Sequence, residues 1–217
     1  MIALLASVAM TVHAAPPKTS DAPVRTMLKF NPALMPTGEL NLGVEQSILR
    51  NLSIEASGGF IFTDYWEGVA RDAGWGTEGG RRPYMDSRRY DNGQGWALRA
   101  GVKYYVKNLN NRGAAQGLYL GMQFLLKQVY YPDGDIQSGF YLKDVSKSVY
   151  GGQVLFGFQA VMGRFVLDPY TGLGLRYKDF IGTQVDGGFM PEPGNYSPGA
   201  YVMPSFQLGV KIGVSFQ

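Results

Sequence analysis

The chain is patterned in twos. From Ser205 to Phe216, the residues Phe206, Leu208, Val210, Ile212, Val214 and Phe216 fall on one face. Ser205, Gln207, Gly209, Lys211, Gly213 and Ser215 fall on the other. A strand with one apolar and one small or charged face separates an oily environment from a wet one. The same alternation recurs upstream. Leu28, Phe30, Pro32 and Leu34 oppose Lys29, Asn31 and Ala33; Leu40, Leu42, Val44 and Ile48 oppose Asn41, Gly43, Glu45 and Ser47. It continues over 52–62, 96–105, 118–127, 150–162 and 165–178. That predicts about eight strands, each near the ~9–11 residues that a tilted strand needs to cross a bilayer.

The connections alternate as well. Arg50-Asn51, 107–116 and Gly163-Arg164 lie at one end; 35–39, 63–94, 132–147 and 181–200 lie at the other, and all but the first of these are long. Short turns at one end and long loops at the other are the habit of outer-membrane barrels. An even strand count puts both termini at the short-turn, periplasmic end. Aromatics gather where interfacial girdles belong: Tyr65, Trp66, Trp96, Tyr130, Tyr131, Tyr150, Tyr177 and Tyr201 near the outer strand ends, Tyr104, Tyr105 and Phe216 near the inner ones. The expected fold is all-β, an eight-stranded antiparallel up-and-down transmembrane β-barrel.

Charge sharpens the picture of the interior. Glu45, Glu55, Arg99, Lys103, Lys127, Asp168, Arg176 and Lys211 all fall on the polar face, among Gln, Ser and many Gly. A barrel of about eight strands has room inside only for side chains, so opposite charges there must pair. The expectation is a packed ionic network in place of a diffusion pore. Period two alone leaves a water-soluble barrel of the lipocalin or streptavidin kind as the alternative, with its polar face outside and its apolar face around a ligand.

Composition excludes other classes. Charged residues make up 17% of the 217, below the ~25% of a typical soluble domain, while 14 Tyr, 12 Phe and 30 Gly supply strands and turns. A net charge of +3 without a dense basic run gives no reason to expect nucleic acid. With no Cys there is neither disulfide nor thiolate metal site. The apolar run Ile2–Val12, followed by Val12-His13-Ala14-Ala15 and several prolines, reads as an export signal over 1–14, with the barrel occupying 15–217. His13 is the one histidine and lies in that signal, so a Ser-His-acid triad, a His-Asp dyad or a His metal site is not expected in the mature chain. No cofactor is expected, and a lipid-modifying enzyme is disfavoured.

The segment 63–94 carries the densest recognition chemistry. Arg71, Arg81, Arg82, Arg88 and Arg89 are interleaved with Trp66, Trp75, Tyr84 and Tyr90. Arginine forks grip phosphate and carboxylate, and aromatic faces stack on sugars or guanidinium groups. Outer-membrane lipid, lipopolysaccharide, a surface glycan or an acidic protein would fit. The bland alternative is a solvated loop whose arginines pair with Asp64, Glu67, Asp72, Glu78, Asp86 and Asp91.

The run Asn51–Phe62 (NLSIEASGGFIF), with Phe165–Lys178 (FVLDPYTGLGLRYK), resembles small outer-membrane barrels of Bacteroidota that form a family of unknown function, similar in size to OmpA/OmpX-type barrels. The resemblance implies a non-catalytic structural or accessory role in a cell-surface assembly, with a possible protein partner in a fimbrial or glycan-handling system. A narrow transport or ligand-binding barrel, holding lipopolysaccharide or glycan at its outer loops, is the alternative.

Overall fold

The computed structural model describes residues 25–63, 93–107, 115–131, 136–137, 140–185 and 195–216. The expected export signal and the aromatic-arginine segment, with Tyr65, Trp66, Arg71, Trp75, Arg81, Arg82, Tyr84, Arg88, Arg89 and Tyr90, lie outside them, as does the side chain of Tyr201.

Alternation becomes strand along most of the chain. The strands are β1 (Thr26–Phe30), β2 (Glu39–Leu49), β3 (Leu52–Ile61), β4 (Gln94–Lys107), β5 (Gly117–Tyr131), β6 (Ile136–Gln137), β7 (Phe140–Met162), β8 (Phe165–Val185) and β9 (Asn195–Phe216). Each pairs antiparallel with its neighbours. The order β5-β4-β3-β2-β1-β9-β8-β7 is closed by pairing of β5 with β7. Eight strands therefore make a closed barrel, and β6 only lengthens the hairpin tip before β7. Thr26 pairs with Phe216, so the first and last strands meet at one end.

Register sets the tilt. Followed from Thr26 through Gln46, Ile54, Val102, Met122, Val154 and Leu173, the paired positions reach Phe206, ten residues before the Phe216 that pairs with Thr26. A stagger of ten over eight strands inclines them by roughly 40° to the axis and leaves an interior that side chains can fill. Turn chemistry agrees with the topology. Gly163, with φ +64°, is the first of the two residues joining β7 to β8 and supplies the positive φ that a tight hairpin needs there.

The two faces are the reverse of those in a water-soluble barrel. Leu42, Phe60, Met122, Phe124, Leu173, Leu175, Phe206 and Leu208 are exposed on the exterior, whereas Lys29, Glu45, Lys103, Asp168 and Lys211 are at most 4% exposed. On β8 the exterior run from Phe165 to Tyr177 gives a band about 30 Å tall at ~3.3 Å per residue and this tilt. The lipocalin-like arrangement requires the charged face outside, and here it lines the lumen.

Several expectations need correction. β1 stops at Phe30, and Pro32–Thr37 form a 3-10 helix, η1, capped by Gly38 at φ +85°. Pro32 has no N–H to carry the ladder on, so the alternation through Leu34 is not strand. The outer connections expected at 132–147 and 181–200 are shorter, because β7, β8 and β9 continue as strand through much of them. Tyr105 and Tyr131, expected in the girdles, point inward and are 3% exposed, while Tyr104 and Tyr130 point outward.

Candidate functional site

The inward residues of the lower lumen meet in one network. Lys29 of β1 lies 2.6 Å from Glu45 of β2 and 2.7 Å from Asp168 of β8. Lys103 of β4 lies 2.7 Å from each of Glu45, Glu55 and Asp168. Its ammonium is well aligned with Glu45 and Asp168, whereas Glu55 Oε2 receives charge proximity without an aligned hydrogen bond. Lys211 of β9 pairs with the other oxygen of Glu55. Three ammonium groups thus face three carboxylates, and the cluster is neutral.

Neutral donors complete it. Tyr105 donates to Glu45 Oε1 and Tyr119 to Asp168 Oδ1, each at 2.7 Å, and Ser53 donates to Glu45 Oε1 at 2.8 Å. Gln159 of β7 accepts from Lys29 at 2.6 Å and donates to the Ala115 carbonyl at 2.7 Å. The Tyr105 and Tyr119 rings tilt against each other at 5.5 Å, and the Lys103 ammonium lies 4.7 Å from the Tyr119 ring centre. Every barrel strand contributes: Lys29, Glu45, Glu55, Lys103, Tyr119, Gln159, Asp168 and Lys211 belong in turn to β1, β2, β3, β4, β5, β7, β8 and β9. Small inward residues make room for this packing. A Cβ on Gly157 would collide with the Tyr119 ring.

Above the cluster the lumen changes character. Arg99 grips both carboxylate oxygens of Glu39, and Asn41 adds a bond to Glu39 at 3.3 Å. Asn31 and Gln207 each donate to the Tyr170 hydroxyl at 2.8 Å. Higher still, Ile61, Ala97, Leu125, Val129, Tyr131 and Val149 form a buried apolar cluster on the β3-β4-β5-β7 side. Lys127 and Arg176 also face inward in this outer half and are engaged with other groups, as are Lys147 and Lys178.

Sequence-level candidates separate accordingly. Glu45, Glu55, Lys103, Asp168 and Lys211 come together in the lower cluster. Arg99 belongs to a second pair higher up, and Lys127 and Arg176 lie higher again. Lys29, Tyr105, Tyr119 and Gln159 of the lower cluster, and Glu39 of the upper pair, were not among the candidates. Lys29 and Tyr119 could have been included from their parity, because both fall on the polar face. Glu39 could not, since it sits in what reads as a loop.

The chemistry open to the cluster is limited by its own neutrality. Glu45, Glu55 and Asp168 bring carboxylate oxygens within 4.8 Å of one another, a spacing that a hard cation could bridge. Lys29, Lys103 and Lys211 already supply the positive charge there, so the donor set does not fit a metal site. Broken in isolation, such a pair leaves a buried charge without a partner, which costs about 3–5 kcal/mol. Intact, it is a cross-lumen brace. Comparison with protein-family models, curated proteins and solved structures finds no match.

Proposed function

We propose that the chain is an outer-membrane β-barrel with a plugged lumen, acting without catalysis as a structural or accessory protein of a cell-surface assembly. One observation carries the membrane reading: a closed barrel exposes a continuous apolar exterior and buries its ions. A band about 30 Å tall suits a hydrocarbon layer, and exposed apolar area on this scale is not tolerated by monomeric soluble proteins. Meeting of the first and last strands at one end is compatible with both termini lying in the periplasm.

The accessory role rests on the lack of room in the lumen for anything else. Charged side chains of six strands, joined by Tyr119 of β5 and Gln159 of β7, brace the wall and obstruct a solute path. Contact with partners then falls to the outer end, where 64–92 emerges between β3 and β4 and where β7, β8 and β9 extend farthest. A second reading, an anionic contact such as lipopolysaccharide phosphate or an acidic glycan, is supported by the arginines and aromatic residues interleaved in the 63–94 sequence.

The test is folding into phospholipid vesicles followed by flotation, planar-bilayer recording and affinity purification from cells in mild detergent. The expected result is co-flotation, the gel-mobility shift of a heat-modifiable barrel, no stable large conductance, and recovery of a defined surface partner. A mature chain that stays soluble without detergent contradicts the membrane reading. Stable open channels contradict the plug, and recovery of the barrel without a partner contradicts the accessory role.

A further inference from the structure

The two ends of the barrel differ in charge. At the end where the first and last strands meet, 25–28, 46–53, 104–118 and 160–166 contain no Asp or Glu. The same stretches hold Arg25, Arg50, Lys107, Arg112 and Arg164. The connections of the other end mix both signs: 64–92 carries six acids, and Asp133, Asp135, Asp186 and Glu192 follow in the later ones. Within the lumen, Lys29, Lys103 and Lys211 pair with carboxylates and Arg99 pairs with Glu39. Arg25, Arg50 and Arg164 differ, for among the described residues none of them has an ion-pair partner.

Position narrows the kind of partner. Arg50 lies in the two-residue turn between β2 and β3, and Arg164 in that between β7 and β8. Both are exposed, whereas Arg25, just before β1, is half-buried. Each exposed arginine stands at the last step of the apolar exterior. Ile48 and Leu49 precede Arg50, Met162 and Phe165 bracket Gly163-Arg164, and all four are exposed. In a bilayer, guanidinium groups placed there sit at headgroup level, beyond the edge of the hydrocarbon, with their stems beside apolar surface. Strands β8, β9, β1 and β2 separate the two turns, half the circuit of an eight-stranded wall, so one small anion cannot span them.

We propose that this rim binds anionic phospholipid, with one headgroup phosphate held in the guanidinium fork at each of Arg50 and Arg164. Two parallel N–H donors of a guanidinium match two phosphate oxygens. The acyl chains then run over Ile48 and Leu49 at one turn and over Met162 and Phe165 at the other. An ethanolamine or choline headgroup adds a cation, and this end has no carboxylate to receive it, so a net-negative headgroup is selected. An acidic polymer in solution would meet the same arginines but leave their apolar neighbours uncovered. The inference rests on the membrane reading above.

The test uses the full mature barrel in vesicles of equal parts phosphatidylglycerol, phosphatidylethanolamine and phosphatidylcholine. Flotation first establishes insertion, so failure there counts against the membrane reading and is distinct from failure of the lipid site. After mild extraction, native mass spectrometry is expected to find the glycerol lipid retained about fivefold over each of the others, the factor given by about 1 kcal/mol per basic residue at an anionic surface. The double variant Arg50→Gln/Arg164→Gln is expected to retain all three equally while migrating as a folded barrel. Equal retention by the wild type, which needs no variant, or an unchanged preference in the folded variant overturns the proposal. Two soluble competitors separate the lipid from other anions. The preference is expected to persist in millimolar inorganic phosphate and in polyglutamate. Its loss to phosphate would make this a free-anion site, and its loss to polyglutamate would make it a surface for an acidic polymer; either result overturns the lipid assignment.

Discussion

The lower and upper halves of the lumen are held together differently. Near the paired termini, one neutral cluster ties side chains from all eight strands, so closure is enforced across the lumen as well as around it. Above it, the Glu39–Arg99 pair and an apolar cluster brace the β2-to-β7 side, while β9 runs past η1, where its edge has no backbone partner among the described residues. A backbone ladder alone is therefore not what fixes the barrel. Where the ladder is complete, ions cross-link it; where a proline interrupts it, the wall has a seam.

Variants can probe each half. Lys103→Met removes the ammonium shared by Glu45, Glu55 and Asp168 and is expected to cost about 3–5 kcal/mol, read as a lower urea midpoint for the folded gel band. A matched second change, Asp168→Asn, should recover part of that loss by lowering the excess negative charge. Phe156→Arg tests the exterior at the same level. Midway between Tyr150 and Met162 on the exposed face of β7, it should cost about 2–4 kcal/mol in vesicles and far less in detergent micelles.

Two further variants carry smaller effects. Arg99→Met leaves Glu39 with only Asn41, and nearer the barrel mouth, so about 1–3 kcal/mol is expected by the same assay, less than for Lys103. A loss equal to or above that of Lys103→Met would erase the distinction between the halves. Ala115→Gly has the opposite sign. Ala115 is, among the described residues, the non-glycine residue held at positive φ, +57°, beside the lower cluster, and glycine there should stabilise the barrel by about 1 kcal/mol in a thermal melt.

Alternation made the middle of the barrel legible, because there the exterior face is apolar and the lumen face is charged or small. It faded above the band. At Ser146, Ser148 and Asp179 the period-two contrast is lost although the ladder continues, so β7 and β8 looked shorter than they are. The adjacent tyrosines show the same limit. Tyr104-Tyr105 and Tyr130-Tyr131 each place one ring outside and one inside, and an amphipathic ring suits both sites, so only parity separates them. Lys29 was legible by parity too, but its role was not: it depends on Asp168, 139 residues away. Contacts across the lumen leave no local periodicity to read.

The orientation of the two faces is tested most directly by nitroxide labels on the barrel in bilayers, at Leu120, Phe156 and Leu208 outside and Gln123 and Ser57 inside. The first three labels are predicted to collide with oxygen dissolved in the acyl chains and little with a water-soluble nickel chelate. The last two are predicted to be shielded from both. Free access of nickel to Leu120 and Phe156, with oxygen-rich lipid at Gln123, would contradict that orientation.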